Sequence, residues 1–487
     1  MNATSVLKVR IGLECHCQVT SLKTKLFCRC PADYRGKPPN TNVCPTCLGL
    51  PGSLPYLNKR AVEEAIKVAL ALNCKINKKM VFYRKNYFYP DLSKNFQISQ
   101  YDYPLAVDGW VKINVEGVEK TVRIKRVHIE EDPGRLIYRG GIESSPYTLV
   151  DYNRMGIALL EVVTEPDMES PSEAKAFLQE LRSLLEHLEV SDGSLEGSMR
   201  CDANISIEGG SRVEVKNITS FKEVERALSY EMIRQRNLLR RGAQVRRETR
   251  HWDEVRGITV ALRVKEEEMD YRYFPEPDLV PIEITDELVE KIRAQLPELP
   301  AARRSRLVKQ YGLTEYEARV LTSDKQLADF FEKLVSVHGK PKVDCSLVIN
   351  ELLRLLNEKG LEVRDLKFTP LEVAELLEMV DEGVISWKSA KYVLRKMVET
   401  GEHPKKIVEA EGIRRIADVE EIERYVDIVF KRCEEDVREA MRDPKVIHRL
   451  VGEVLKESKM LVDPKIAFQV VSKRIERLKL AGQREEG

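Results

Sequence analysis

The stretch "YRYFPEPDLVPIEI", residues 271–284, divides this chain more sharply than any other. Prolines at 275, 277 and 281 rule out one continuous helix or central strand there. Before it, β-branched runs recur. "WVKINVEGV", "TVRIKRVHI", "ANISI", "RVEVKN" and "GITVALRV" read as strands, several of them set apart by glycine-containing turns. After it such runs nearly vanish. "DELVEKIRAQL", "KQLADFFEKLVSVHG", "LVINELLRLLNEKG" and "TPLEVAELLEMVDEG" repeat apolar residues at helical spacing and close near Gly or Pro. A second seam at "GEHPKKIVEAEG" precedes a last helical unit. At 487 residues the chain exceeds one ordinary core, and this order implies a mixed domain followed by helical ones.

Three helices interrupt the mixed part. Asn58 to Leu72 carries Val62, Ile66, Ala69 and Leu70 along one face. A second opens with Ser170 as N-cap, Pro171 at N1 and Glu173 at N3, the pattern of a capping box. Ser220 and Glu223 repeat the device, and Gly242 stands where a C′ glycine would stop that helix.

The chain balances 80 Lys and Arg against 79 Asp and Glu, so no global field announces a nucleic-acid partner and any such partner must meet a local patch. The N-terminus lacks the apolar core of a signal peptide. No segment reaches the roughly 20 apolar residues of a membrane span, which points to a cytoplasmic protein. In a reducing compartment, clustered cysteines point to metal and scattered ones to core packing.

Cys28-x-Cys30 and Cys44-x-x-Cys47 form two tight pairs. Four thiolates so spaced suit a closed structural Zn²⁺ site, the alternative being reduced cysteines or a redox pair. In "IGLECHCQV", period two puts Glu14, His16 and Gln18 on one strand face and Cys15 and Cys17 on the other. Glu14 and His16 are then metal ligands, or simply an exposed pair. "VHIEEDPG" offers Glu130, Glu131 and Asp132, a solvated turn or a cluster for Mg²⁺ with a nucleoside triphosphate. Glu161 lies inside an apolar run and needs a partner or a cation. "FYRKNYFYPDLSKNFQISQYDYP" mixes Arg84, Lys85 and Lys94 with rings, suiting phosphate, adenine or RNA, or an ordinary amphipathic surface. Asp202, Asn204 and Lys216 fall in strand-like alternation. No P-loop, dinucleotide fingerprint or nucleophile elbow is present, so ATP chemistry here would lie outside the commonest folds.

Together "IGLECH", "YRKNYFYPDLSKNFQISQYDYP", "HIEEDPG", "LVDYNRMGIALLEVVTEPDMESPSEA", "SMRCDANISI", "VKNITSF" and "DYRYFPEPDLVP" resemble the GatB/GatE family of tRNA-dependent amidotransferase proteins, collinearly over essentially the whole chain. The resemblance implies an α+β N-terminal cradle domain (1–292, with the zinc clip at 28–47), an all-α helical domain (293–409) and a small YqeY-like tRNA-binding tail (410–487). It implies ATP-dependent phosphorylation of the side-chain carboxylate of misacylated Asp-tRNA(Asn) or Glu-tRNA(Gln). Amidation then follows, with ammonia from a partner glutaminase. By the same resemblance Glu14, His16, Glu130, Glu131 and Glu161 hold Mg²⁺, Lys85 meets phosphate, and Asp202, Asn204 and Lys216 line the ATP pocket. The implied partners are that amidase (glutaminase) and a small third protein, forming a heterotrimer with this chain, together with misacylated tRNA; neither membrane nor DNA is implied. GatE relatives usually carry an inserted synthetase-like domain. Here "VPIEITDELVEKIRAQLPELP" passes straight into helix, which favours the GatB branch. The rival reading is a non-catalytic, zinc-containing tRNA-binding adaptor.

Overall fold

The computed structural model describes residues 7–139, 145–218, 220–264, 271–413, 418–458 and 461–485. The chain divides into two compact units, 1–303 and 304–487. As the sequence pattern implies, strands populate the first and helices the second.

Nine strands form the main sheet of the first unit: β1 (Val9–Gln18), β2 (Lys75–Ile76), β3 (Ala106–Val115), β4 (Val118–Glu131), β5 (Ala158–Thr164), β6 (Met199–Ile207), β7 (Val213–Ile218), β8 (Glu248–Asp253) and β9 (Ile258–Val264). Their order is β9-β8-β7-β6-β1-β5-β4-β3-β2. Every neighbour pair is antiparallel except β7 with β8. That parallel pair needs a crossover, which a helix, α3 below, supplies.

Three helices pack against this sheet: α1 (Lys59–Ala71), α2 (Pro171–His187) and α3 (Phe221–Arg240). Helix α2 packs on β1 and β3, and α3 on β6, β7 and β9. The reason is the period-two pattern. Ile11, Leu13 and Cys15 of β1 stand opposite Ile205, Ala203 and Cys201 of β6, all buried. Phe177, Leu181 and Leu184 of α2 and Val224, Ala227 and Leu228 of α3 complete the same core. The alternate residues of β1, Glu14 and His16, are left on the face away from these helices.

The capping boxes expected at Ser170 and Ser220 are present in part, and Asn58, the start of the first helix, is an N-cap as well. Asn58 accepts from the amides of Arg60 and Ala61, Ser170 from Glu173 and Ser220 from Glu223. Neither acid closes a reciprocal capping box. Glu173 takes the amide of Glu169 and the ammonium of Lys120, while Glu223 takes the Trp252 indole and Arg226. Gly242 adopts φ +72°, the left-handed conformation expected at a helix stop.

A three-stranded ribbon of Phe82–Asn86, Phe96–Gln100 and Phe274–Pro275 stands beside the sheet. Phe274 and Pro275 pair with Arg84 and Tyr83, and Ile282 with Met80. The proline-rich stretch is thus stitched to the N-terminal unit, and Ile292 of the helix Asp286–Arg293 belongs to the same core.

The second unit holds two hydrophobic clusters, one running from Leu307 to Ile407 and one from Ile422 to Ile475. The expected helix over 347–360 is present and runs on from Pro341–Leu347, but it winds through a wider turn at Val348–Leu352, for which its regular apolar spacing gives no signal. Among the described residues no helix is long and apolar enough to cross a membrane.

Candidate active site

Side chains of four adjacent strands converge on the sheet face that bears Glu14 and His16. His16 on β1 stands opposite Glu161 on β5, which stands opposite His128 on β4. Two residues along β1, Glu14 faces Asp202 on β6. Glu161 Oε2 lies 3.2 Å from His128 Nδ1, and His16 Nε2 lies 3.5 Å from Glu130 Oε1. Asn204 Nδ2 donates to Glu14 Oε1 at 3.0 Å, and Ser99 Oγ to Glu130 Oε2 at 3.0 Å. Lys216 Nζ pairs with Asp202 Oδ2 at 3.0 Å and approaches Glu214 Oε1 at 3.6 Å.

The electrostatics divide the carboxylates. Burial first, and then the charge of Glu161, push the carboxyls of Glu14 and Glu130 upward. Burial would raise Glu161 too, but the hydrogen bond and charge of His128, with His16 and Arg126 behind them, hold it well below the usual range. Glu14, Glu130 and Glu161 bring carboxylate oxygens, the kind of donor a hard divalent cation prefers, to one region of the sheet. Asn204 Oδ1, buried and without a hydrogen-bond partner, adds a further oxygen beside Glu14.

Part of this cluster lines a cavity of about 610 Å³, whose lining includes Glu14, Glu161, His128, Lys85, Asn204 and Lys216. Lys85 projects from the ribbon, its Nζ 5.1 Å from the centre of the Tyr271 ring. Burial would lower the Lys85 pKa, but the phenols of Tyr273 and Tyr87 and the carboxylates of Glu130 and Glu161 raise it, so it carries its charge into the cavity. Tyr101 and Tyr273, also lining residues, stack at 4.6 Å.

One expected ligand turns elsewhere. Glu131 follows Glu130 along an extended strand and points to the other side. Its Oε1 takes Lys94 Nζ at 2.5 Å and the Ile98 amide at 2.8 Å, partners other than Glu14, His16 and Glu161. Asp132 is also spoken for. Its carboxylate, 0% exposed, accepts from Arg200 at 2.5 Å and from Gln18 at 2.7 Å, with Arg154 at 3.4 Å. Sequence reasoning did not single out His128, although two residues before Glu130 on a strand is the same face, and period two alone would have found it.

Cys28, Cys30, Cys44 and Cys47 come together, their Sγ atoms all within 4.8 Å of one another. This set is compatible with zinc. A hydrogen bond from Cys28 draws the Cys47 thiol down to about 5 against the effect of burial, helped by the fully buried Lys25 ammonium 3.9 Å away. Cys15 and Cys17 are buried in the sheet core instead, Cys15 beside Cys201 at 3.9 Å. The loop between the cysteine pairs reaches the active face, because Arg35 donates to Gln18 Oε1 at 2.7 Å and Gln18 donates on to Asp132.

The fold and site together define an α+β domain with a carboxylate–histidine cluster on its sheet, followed by a helical region. Residues 9–290 match the GatB/GatE catalytic domain, and residues 329–475 match the GatB domain. The B subunit of aspartyl/glutamyl-tRNA(Asn/Gln) amidotransferase from Saccharolobus solfataricus is 50% identical over 472 residues, covering 96% of this chain and 99% of that protein. The proteins of the same name from Thermotoga maritima and Carboxydothermus hydrogenoformans are 48% and 46% identical, each over 96% of this chain and 98% of its own length. The chain belongs to the GatB/GatE family.

Proposed function

We propose that this chain is the B-type component of a tRNA-dependent amidotransferase, a ligase that converts Asp-tRNA(Asn), Glu-tRNA(Gln) or both to the amidated forms. ATP phosphorylates the side-chain carboxylate, and ammonia then displaces the phosphate. The observation that supports this reading is that Glu14, Glu161 and Lys85 line one cavity, with His16 beside Glu130 and opposite Glu161 in the sheet. Phosphoryl transfer needs positioning and charge neutralisation more than a protein nucleophile, and this residue set supplies both.

In this reading Glu14, His16, Glu130 and Glu161 hold Mg²⁺, which supplies charge neutralisation at the transferred phosphoryl group. Lys85 adds its charge from the ribbon side. Lys216, held by Asp202, and Asn204, held by Glu14, face the nucleotide. Glu131 is left to brace the ribbon through Ile98 and Lys94. We assign residues 1–292 to the catalytic cradle, 293–409 to a helical domain and 410–487 to a tRNA-binding tail. A glutamine-hydrolysing amidase and a small third protein complete a heterotrimer in the cytoplasm.

The reading is tested by ADP release from the complex reconstituted with its amidase, using Asp-tRNA or Glu-tRNA and no ammonia donor. Release with a charged tRNA and none with uncharged tRNA is expected. Absence of release with both charged tRNAs would favour the adaptor.

Zinc in the Cys28–Cys47 clip is structural in this reading. Elemental analysis is expected to find one zinc per chain, and Cys44→Ala should lose it while melting at lower temperature. A full zinc complement in that variant would place the metal elsewhere.

A further inference from the structure

Lys85 stands in the middle strand of the three-stranded ribbon, Phe82–Asn86, and lines the cavity. Among the described residues its Nζ makes no hydrogen bond and no ion pair; its near neighbours are the rings of Tyr271 at 5.1 Å and Tyr87 at 5.8 Å. With no polar group to fix the ammonium at its tip, its place over the cavity is set by the backbone that carries it.

That backbone is held from two sides. The neighbouring strand Phe96–Gln100 is tied to β4, where Gln97 Nε2 donates to the Glu131 carbonyl at 2.7 Å and Ser99 donates to Glu130. The Lys85 strand itself pairs with no strand of the main sheet among the described residues. Its other anchors come from the cysteine loop. At the base, Phe27, the residue before Cys28, packs edge-on against Phe82, with ring centres 5.3 Å apart and both residues buried. At the turn, Ser93 Oγ donates to the Cys47 carbonyl at 2.7 Å. Beside it Gly49 ends the short helix Pro45–Leu48 at φ +69°, and a Cβ there would collide with the Lys94 side chain. The loop is in turn fixed to the segment that leads into β5. Leu26 donates its amide to the Gly156 carbonyl at 2.9 Å, and Asn42 its amide to Asn153 Oδ1 at 2.7 Å.

We propose that the cysteine loop positions Lys85, gripping the ribbon at Phe82 and Ser93 so that the ammonium stands over the cavity; the inference rests on the reading of Lys85 as a phosphate contact. Ser93 is then a positioning residue that acts through Lys85. Four thiolates closed on zinc would lock the loop that carries both contacts. A misplacement of about 1 Å can cost about 100-fold in rate, so a remote grip of this kind bears on phosphoryl transfer.

The test is a double-mutant cycle in the reconstituted complex, read as single-turnover ADP formation with charged tRNA at subsaturating ATP. Ser93→Ala removes the hydroxyl that grips Cys47 and is expected to slow the reaction about fivefold, the worth of one hydrogen bond. Ser93→Thr keeps a hydroxyl and is expected to restore the rate. In a Lys85→Met background Ser93→Ala should cost nothing further, since no ammonium is left to place. Hydrogen exchange read by mass spectrometry adds a measurement that is not activity. Cys44→Ala should speed exchange in Phe82–Asn86 and Phe96–Gln100 while β1 and β5 stay protected.

An equal loss from Ser93→Ala in both backgrounds would overturn the proposal, as would no loss in either. Exchange that quickens evenly across the main sheet and the ribbon would overturn it too, making the loop a general brace. A wild-type rate in Lys85→Met alone is a different result. It removes Lys85 from the phosphate, and the inference falls with that reading.

Discussion

Replacing Glu161 with alanine is expected to lower aminoacyl-tRNA-dependent ADP release at least about 1,000-fold while tRNA affinity stays near that of the wild type. Glu161 sits between His128 and His16 on a single rung and is the carboxylate those groups keep ionised. Glu14 and Glu130 resist ionisation because of burial and of Glu161 itself, so neither is a ready substitute. Its side chain lies on the cavity face, while its strand neighbours Leu160 and Val162 pack in the core. Melting should therefore change little, and single-turnover ADP formation separates chemistry from folding. Glu161→Gln should fall nearly as far, because shape is kept and charge is lost. A loss below tenfold in both variants would remove Glu161 from the reaction.

The largest effect on stability is expected at Asp132. Asp132→Ala leaves Arg200 and Arg154 without their common carboxylate and Gln18 without its acceptor. Removing one partner of a buried ion pair costs about 3–5 kcal/mol, which denaturant unfolding can measure. The direction with pH follows from the shift. Burial would raise the Asp132 pKa, but Arg200, Arg154 and Gln18 together depress it. A depressed carboxyl contributes stability that is complete above the unfolded pKa of about 3.9 and is lost as pH falls through the folded one. The gap between wild type and Asp132→Asn should then stay constant from about pH 5 to 8 and narrow only below about pH 4. A gap that widens on acidification would show that the arginines do not govern this carboxylate.

Strand β1 was readable because its pattern is strict. Glu14 and His16 share a face, Cys15 and Cys17 share the other, and the structure buries the cysteines as period two implies. The helix starts at Asn58, Ser170 and Ser220 were readable for a similar reason, since each cap is a contact between near neighbours.

What escaped the sequence depends on partners distant in the chain. Nothing in "HIEEDPG" tells that Glu130 joins His16 while Glu131 is claimed by Lys94 and Ile98, because the ribbon that decides it is a separate segment. The path from Arg35 through Gln18 to Asp132 and Arg200 joins four stretches that no local pattern connects. Lys25, charged and fully buried, contradicts any hydropathy rule until the cysteine cluster beside it is known.

The span of chain between the site's members has a consequence for how the protein is made. His128 and Glu161 are 33 positions apart, whereas Glu14 and Asn204 are separated by 190. Contacts of short separation form early, and those that close long loops form late. A chain emerging from the ribosome can pair β4 with β5 well before β6 exists, but Glu14 gains its Asn204 and Asp202 neighbours only after residue 204 has been synthesised. Unfinished chains therefore carry Glu14 and Glu161 without the neighbours that β6 brings to the finished sheet.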